Sequence, residues 1–114
     1  MSKLVIAVTV AAGNATDATV FTMPAGFQGF VSSLTCSNTT GGSLNLTLKL
    51  TRVGTTFTLL AATAVGASSA AQFNKGATNP VFPITLNAGD ILLAQGSGAG
   101  LNVTVSGVRY SVDS

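Results

Sequence analysis

Apolar and polar residues alternate along most of this chain with a period of two, the pattern of a β-strand that buries one face. The clearest case is segment 44–51, in which every even-numbered residue is leucine and every odd-numbered residue is Asn, Thr or Lys. Segment 30–37 alternates less sharply, which is compatible with cover on both faces. No long stretch has the helical period, so the alternation predicts an all-β protein.

Turn-forming residues separate these apolar segments at positions 24–26, 38–42, 53–55 and 87–90. About eight short strands at roughly ten-residue spacing are typical of a β-sandwich or jelly roll. We therefore expect a single-domain antiparallel β-sandwich over residues 1–114, jelly-roll-like, with residues 1–13 as a first strand or an N-terminal arm. The Ala-rich segment 59–71 fits a short helix, a strand or a loop.

The last apolar segment contains a phase break. Its apolar residues are odd-numbered at first and even-numbered later, namely Leu101, Val103 and Val105, then Val108, Tyr110 and Val112. An extra residue at the break would restore the inward face, and glycine is the usual residue at such a bulge. We predict a β-bulge or sharp bend at Gly107, and with it a Tyr110 ring that faces the core.

The low charge of the chain is informative about its function. Only 7% of the residues are charged and 46% are hydrophobic, whereas about 25% are charged in an average domain. A surface of Thr, Ser, Asn, Gly and Ala costs little to desolvate and lacks the charge that keeps monomers apart. Both properties favour a subunit of a larger assembly.

Two classes of partner are disfavoured by the same composition. The net charge is +2, and the basic residues are scattered without a run, whereas nucleic-acid binding depends on clustered cations. No uninterrupted apolar run approaches the ~20 residues that cross a bilayer. The apolar segment after Lys3 superficially resembles a signal peptide, but we interpret it as a first strand.

The chain lacks the side chains on which most catalysis depends. Histidine and glutamate are absent, and the carboxylates are Asp17, Asp90 and Asp113. General acid–base chemistry, activated nucleophiles and zinc sites all need groups that are missing here. We therefore expect no enzyme, no cofactor, no metal and no small-molecule substrate. Asp90, in a glycine turn, is the one calcium candidate, and a hydrogen bond to its own turn is the favoured interpretation.

The remaining reactive and aromatic residues are interpreted as core. Cys36 lies in a strand-like segment without a nearby base, so a small buried hydrophobe is its expected role. Sugar-binding faces usually stack on Trp or Tyr, and this chain has no Trp and a single Tyr that is predicted to face inward. Most phenylalanines are expected in the core, particularly those in strand-like segments: Phe21, Phe30, Phe57 and Phe82.

Four stretches carry a resemblance to a known group: residues 20–26, 36–40, 86–92 and 102–107. A strand ending in Pro-Ala-Gly, a strand closing on Asn-Thr-Thr, a Leu-Asn-Ala-Gly-Asp turn and a Val-rich last strand follow in this order. The pattern resembles the small virion proteins of tailed bacteriophages, among them capsid decoration (cement) proteins and tail or fibre modules. The resemblance spans residues 20 to about 112.

The resemblance implies a subunit, often trimeric, that is made in the host cytoplasm and binds the outer surface of a capsid. Its partners would be the major capsid protein and further copies of itself, and it would clamp neighbouring capsomers across their seams. The alternatives are a phage tail, baseplate or fibre subunit and, from another class, a carbohydrate-binding module.

The candidate partner-binding residues lie in the apolar N-terminal segment, because such a segment can add as a strand to a neighbour. They are Lys3, Leu4, Val5, Ile6, Ala7 and Val8. The competing interpretation is an ordinary first strand in the chain's own sheet.

Overall fold

The computed structural model describes the backbone of residues 3–73 and 83–111, and the side chains of 5–72 and 83–111. Phe82, Val112, Asp113 and Lys75 lie outside the described residues. Within them, ten strands form two five-stranded sheets. The strands are β1 (Lys3–Ala11), β2 (Gly13–Asn14), β3 (Ala18–Thr22), β4 (Phe27–Asn38), β5 (Leu44–Arg52), β6 (Thr55–Val65), β7 (Ala70–Phe73), β8 (Ile84–Leu86), β9 (Ile91–Gly96) and β10 (Leu101–Ser111).

The first sheet, sheet A, has the order β1-β10-β4, with β7 and β8 end to end along the far edge of β4. The second, sheet B, has the order β9-β5-β6, with β2 and β3 along the free edge of β9. The antiparallel pairs β1–β10, β3–β9, β4–β7/β8 and β5–β6 are nested, as in a long hairpin wound into two sheets. This is jelly-roll topology.

The predicted fold class is therefore confirmed. Ten strands replace the expected eight or so, because two short strands share one edge of β4 and because β2 is a two-residue strand. The ambiguous segment 59–71 continues β6 to Val65 and enters β7 at Ala70.

The core lies between the sheets, and period-two alternation supplies it. In β5, Leu46 and Leu48 are fully buried, and Leu34, Leu92 and Val105 are buried opposite or beside them. Each such side chain contributes roughly 1.5–3 kcal/mol by leaving water. The inward face of each strand therefore determines how the two sheets are held together.

The predicted bulge is present, and the register between β10 and β4 shifts between Ser106 and Gly107. Ser106 pairs with Ser33, whereas Gly107 pairs with Val31, so Ser32 on β4 is the additional residue. A Cβ on Gly107 would lie 2.1 Å from the Phe30 carbonyl oxygen. Glycine is therefore required here by the close approach of the two strands.

The bulge corrects the prediction for Tyr110. Because the additional residue belongs to β4, strand β10 keeps its alternation, and Gly107 is buried in phase with Val105. Tyr110 therefore lies on the outer face of sheet A and is half-buried, so its assignment to the core is wrong.

The assignment of most phenylalanines to the core is partly wrong. Phe21 and Phe27 pack against the core. Phe30 lies on the outer face of sheet A, because its neighbours Gly29 and Val31 are the buried ones. Phe57 pairs with the core residue Leu50 but remains 51% exposed, near the end of the β5–β6 hairpin.

Candidate assembly surface

Strand β1 contains all of the candidate partner-binding residues, Lys3–Val8, and forms one edge of sheet A. It pairs with β10 over its whole length of nine residues without a register shift. The segment is thus an ordinary first strand in its own sheet, with Ile6 buried in the core and Val5 75% exposed on the outer face. The edge of β1 opposite β10 pairs with no other described strand.

The hydrogen-bond register identifies which groups that edge offers. The Ala12 N–H donates to the Leu101 carbonyl at 2.9 Å, which continues the β1–β10 register by one residue. In an antiparallel pair, residues that bond to the partner alternate with residues that do not. The N–H and C=O groups of even-numbered residues therefore face β10, and those of Val5, Ala7, Thr9 and Ala11 face away from the sheet.

The other edges are short or irregular. Sheet A ends in β7 and β8, which have four and three residues. In sheet B, β3 has five residues and a register shift between Thr19 and Phe21. Bulges and short strands at edges prevent pairing with other chains. Among the edges of the described chain, β1 is the long one without such protection.

Strand β6, the last edge, is long but carries two register shifts against β5. Leu46 and Leu48 pair with Thr63 and Leu60, so β6 has one more residue than β5 in that interval. It has another beside Leu59, since Leu60 and Thr58 pair with consecutive β5 residues. The Ala62 N–H donates to the Thr47 hydroxyl at 3.2 Å instead of joining the ladder. Two bulges in one strand bend its edge away from regular pairing.

The outer face of sheet A continues from the β1 edge as an uncharged surface. From β1 to β4 its described side chains are Val, Ala, Thr, Asn, Ser, Tyr, Gln and Phe. Hydroxyl groups pair across the strands: Thr9 with Thr104 at 3.1 Å and Ser33 with Ser106 at 2.7 Å. Burying these groups removes no strongly hydrated ion, so contact with another protein is favourable at low desolvation cost.

Three of the described charged side chains, those of Lys49, Asp17 and Arg109, lie away from this face. On sheet B, Lys49 forms an ion pair with Asp17 at 3.2 Å. Arg109 is directed inward, with its guanidinium 5.0 Å from the centre of the Phe27 ring. Its Nε is buried without a hydrogen-bond partner among the described groups.

Asp90 is a structural carboxylate. Its Oδ2 accepts hydrogen bonds from the Asn87 N–H at 2.7 Å and from the Arg52 Nη2 at 2.6 Å. The bond to its own turn confirms the favoured interpretation, and the same carboxylate oxygen also pairs with Arg52. The hydrogen bond to Asp90 raises the pKa of Arg52. In the described residues, no three His, Cys, Asp or Glu side chains cluster as metal ligands would.

Cys36 is fully buried in β4, as predicted. Burial in apolar surroundings raises the pKa of its thiol to about 11, so the thiol stays protonated at neutral pH. Protonated, buried thiols are poor nucleophiles. The residue therefore acts as part of the core.

The structure groups residues that the sequence did not. Tyr110 on β10, Gln28 and Phe30 on β4 and Thr85 on β8 line a shallow cavity of about 220 Å³ on the outer face of sheet A. The phase break in the sequence was the available signal. In β4 the buried positions change from odd numbers, up to Val31, to even numbers, from Leu34. Assigning the additional residue to β4 would have placed Tyr110 on the outer face.

No helix in the described residues is long and apolar enough to cross a membrane. No protein-family model and no curated protein matches the sequence.

Solved structures do show the same fold. The chain is similar to a protein of the T13 viral particle of IBDV, with 15% identity and a TM-score of 0.50 over 96% of this chain and 35% of that one. It thus spans about a third of the length of that viral protein. Two likenesses are weaker. A pilus protein of Bacillus endospore appendages has a TM-score of 0.42 and 17% identity, over 98% of this chain and 88% of that one. A pentameric capsid protein from metagenomic phage sequences has a TM-score of 0.36 and 22% identity, over 92% of this chain and 62% of that one. At these identities the likeness concerns the fold alone.

Proposed function

We propose that this protein is a structural virion subunit that decorates the outer surface of a phage capsid and stabilises it by binding across capsomer seams. The observation that carries the proposal is the open edge of β1, long and regular, beside an uncharged outer face. The jelly-roll fold, shared with a viral particle protein, and the resemblance of residues 20–112 to phage virion proteins support the same role.

The edge of β1 provides the contact with the major capsid protein. A nine-residue strand extends roughly 30 Å at ~3.3 Å per residue, and an added strand would bond to the outward groups of Val5, Ala7 and Thr9. Main-chain bonds supply affinity in strand addition, and alternate side chains supply specificity. Within the candidate segment Lys3–Val8, Val5 and Ala7 are then contact residues, and Ile6 and Val8 hold the strand in its own sheet.

Self-association belongs to the same proposal. A decoration protein gains stability for the shell when each copy contacts several neighbours, because repeated weak contacts combine into high avidity. The resemblance implies a homotrimer, with contacts of about 800 Å² for each partner. The part of the uncharged outer face of sheet A around Thr9 and Thr104 is the surface that such contacts would cover.

The test uses capsids from which this protein has been stripped. Wild-type protein should rebind to them, sediment as a trimer and raise the temperature at which the shells release DNA. Ala7→Pro removes an outward N–H, which edge strands tolerate, and should lower rebinding at least tenfold. Thr58→Ala, an exposed change on β6 of the opposite sheet, is the control and should rebind normally. A stable monomer without affinity for capsids would contradict the proposal.

A tail, baseplate or fibre subunit is the alternative role for the same fold and surface. The copy number in an imaged particle separates the two: hundreds of copies are expected for decoration, and a few to tens for a tail component.

A further inference from the structure

Two cross-strand pairs of side chains line the shallow cavity on the outer face of sheet A. Tyr110 and Gln28 are directly opposite each other on β10 and β4. Phe30 and Thr85 are likewise opposite each other on β4 and β8. Diagonal neighbours in a sheet lie within ~7–8 Å, close enough for long side chains to meet. The four side chains therefore surround one depression, with Gly29 between them.

The polar groups of the cavity are available to a ligand. Within the described chain, the side chains of Gln28, Thr85 and Tyr110 form no hydrogen bond. Gln28 offers an amide donor and acceptor, and the two hydroxyls offer one donor each. Gln28 and Thr85 are exposed, so the groups are accessible from solvent.

The electrostatics favour a neutral ligand. None of the described lining residues is charged. Among the described cations, Arg52 donates to the Thr85 carbonyl at 3.1 Å, and its charge is paired with Asp90. Arg109 pairs with the lining residue Gly29, but its guanidinium is directed inward over the Phe27 ring. An anionic or cationic ligand would therefore lose hydration without gaining a counter-charge.

The size and the apolar walls narrow the ligand class. A volume of about 220 Å³ is below the roughly 300–1,000 Å³ of pockets for drug-sized ligands. The rings of Phe30 and Tyr110 provide apolar walls, and amide and hydroxyl groups lie beside them. A pyranose ring has matching chemistry, because one face consists of C–H groups and its rim consists of hydroxyls.

We propose that the Phe30–Tyr110 cavity binds one residue of a neutral carbohydrate. The C–H face of the sugar packs against the aromatic rings, and its hydroxyls exchange hydrogen bonds with Gln28 and Thr85. This binding activity goes beyond the assembly role and uses side chains other than the outward groups of β1. It would allow an assembled particle to adhere to glycans while the β1 edge is occupied.

The experiment is a screen of the whole protein on a printed array of neutral and sialylated glycans, followed by NMR titration of the glycan that binds. Neutral glycans should bind, and sialylated ones should not. Tyr110→Ala should weaken binding at least tenfold, and Gln28→Ala, an exposed change that leaves the fold intact, should weaken it at least threefold. Thr104→Ala, on the same face but outside the cavity, is the matched control.

Two outcomes would overturn the proposal: no glycan binds, or a glycan binds equally well to the Gln28→Ala and Tyr110→Ala variants. If no glycan binds and Tyr110→Ala instead reduces capsid rebinding, the cavity is a protein contact. If glycan binding is present but capsid rebinding is absent, the carbohydrate site stands and the decoration role fails.

Discussion

The two long edges of the sandwich, β1 in sheet A and β6 in sheet B, have similar lengths but differ in the regularity of their pairing. Strand β1 has nine residues in unbroken register with β10. Strand β6 has eleven residues but two register shifts against β5. A regular edge presents a row of unpaired N–H and C=O groups, whereas a bulged edge does not. Of these two edges, β1 is the one that presents a regular row of unpaired groups.

The strands also differ in how they fill the core. Over residues 5–11 of β1, inward and outward positions alternate strictly, so the strand is held by the sandwich while its outer edge stays straight. Along the first part of β6, residues from Thr55 to Thr58 are exposed on both faces. That part extends beyond the opposite sheet, and Phe57 is left with little cover. The two bulges lie further along, on either side of Leu60, which stays buried, so the edge is blunted without loss of this core side chain.

The largest expected effect is in amide hydrogen exchange of unassembled protein. The amides of Val8 and Val10 donate to β10, whereas the amides of Val5 and Thr9 point to solvent. The amides of Val5 and Thr9 should therefore exchange about 1,000-fold faster. That factor corresponds to about 4 kcal/mol of opening free energy. NMR of exchange along β1 measures it, and uniform protection would show that the edge is already covered. In β6, the bulges should disrupt any such alternation.

The next effect separates the two sides of β1 by proline substitution. Val8→Pro removes an N–H that bonds to β10 and should lower the free energy of unfolding by about 3 kcal/mol. Ala7→Pro removes an outward N–H and should cost less than about 1 kcal/mol. Urea unfolding of both variants provides the measurement. Equal losses would mean that the assignment of outward groups is wrong.

The smallest effect concerns charge at the two edges. A lysine on an edge strand opposes pairing with another chain. Ala7→Lys on β1 should therefore weaken capsid rebinding about tenfold, or about 1.4 kcal/mol, with the melting temperature unchanged. The same charge on β6, Ala62→Lys, should leave rebinding unchanged. A larger loss from the β6 variant would reverse the comparison and make β6 the binding edge.

Several features could be predicted from the sequence because they depend on local chemistry. The leucines of segment 44–51 predict β5 and its buried face, and the place of the bulge at Gly107 follows from the phase break. The burial of Cys36 and the turn bond of Asp90 also follow from neighbouring residues. These interactions span a few positions, so the chain itself contains the information.

The candidate site could be predicted only in part. The segment Lys3–Val8 could be chosen for its apolar, strand-forming residues, but its hydrogen-bonding side could not. Which groups of β1 face outward depends on its register with β10, which begins almost a hundred residues later. The cavity beside Tyr110 was missed for a related reason, because a bulge can be absorbed by either of two paired strands.

The sequence by itself determined an all-β chain with few charged residues and with neither histidine nor glutamate, since strand periodicity and composition are properties of single segments. Only the tertiary structure decided which edge stays open, which strand carries the additional residue and which face Tyr110 occupies. Each of these depends on pairing between strands distant in sequence. A shift of one residue in that pairing moves every side chain beyond it to the other face.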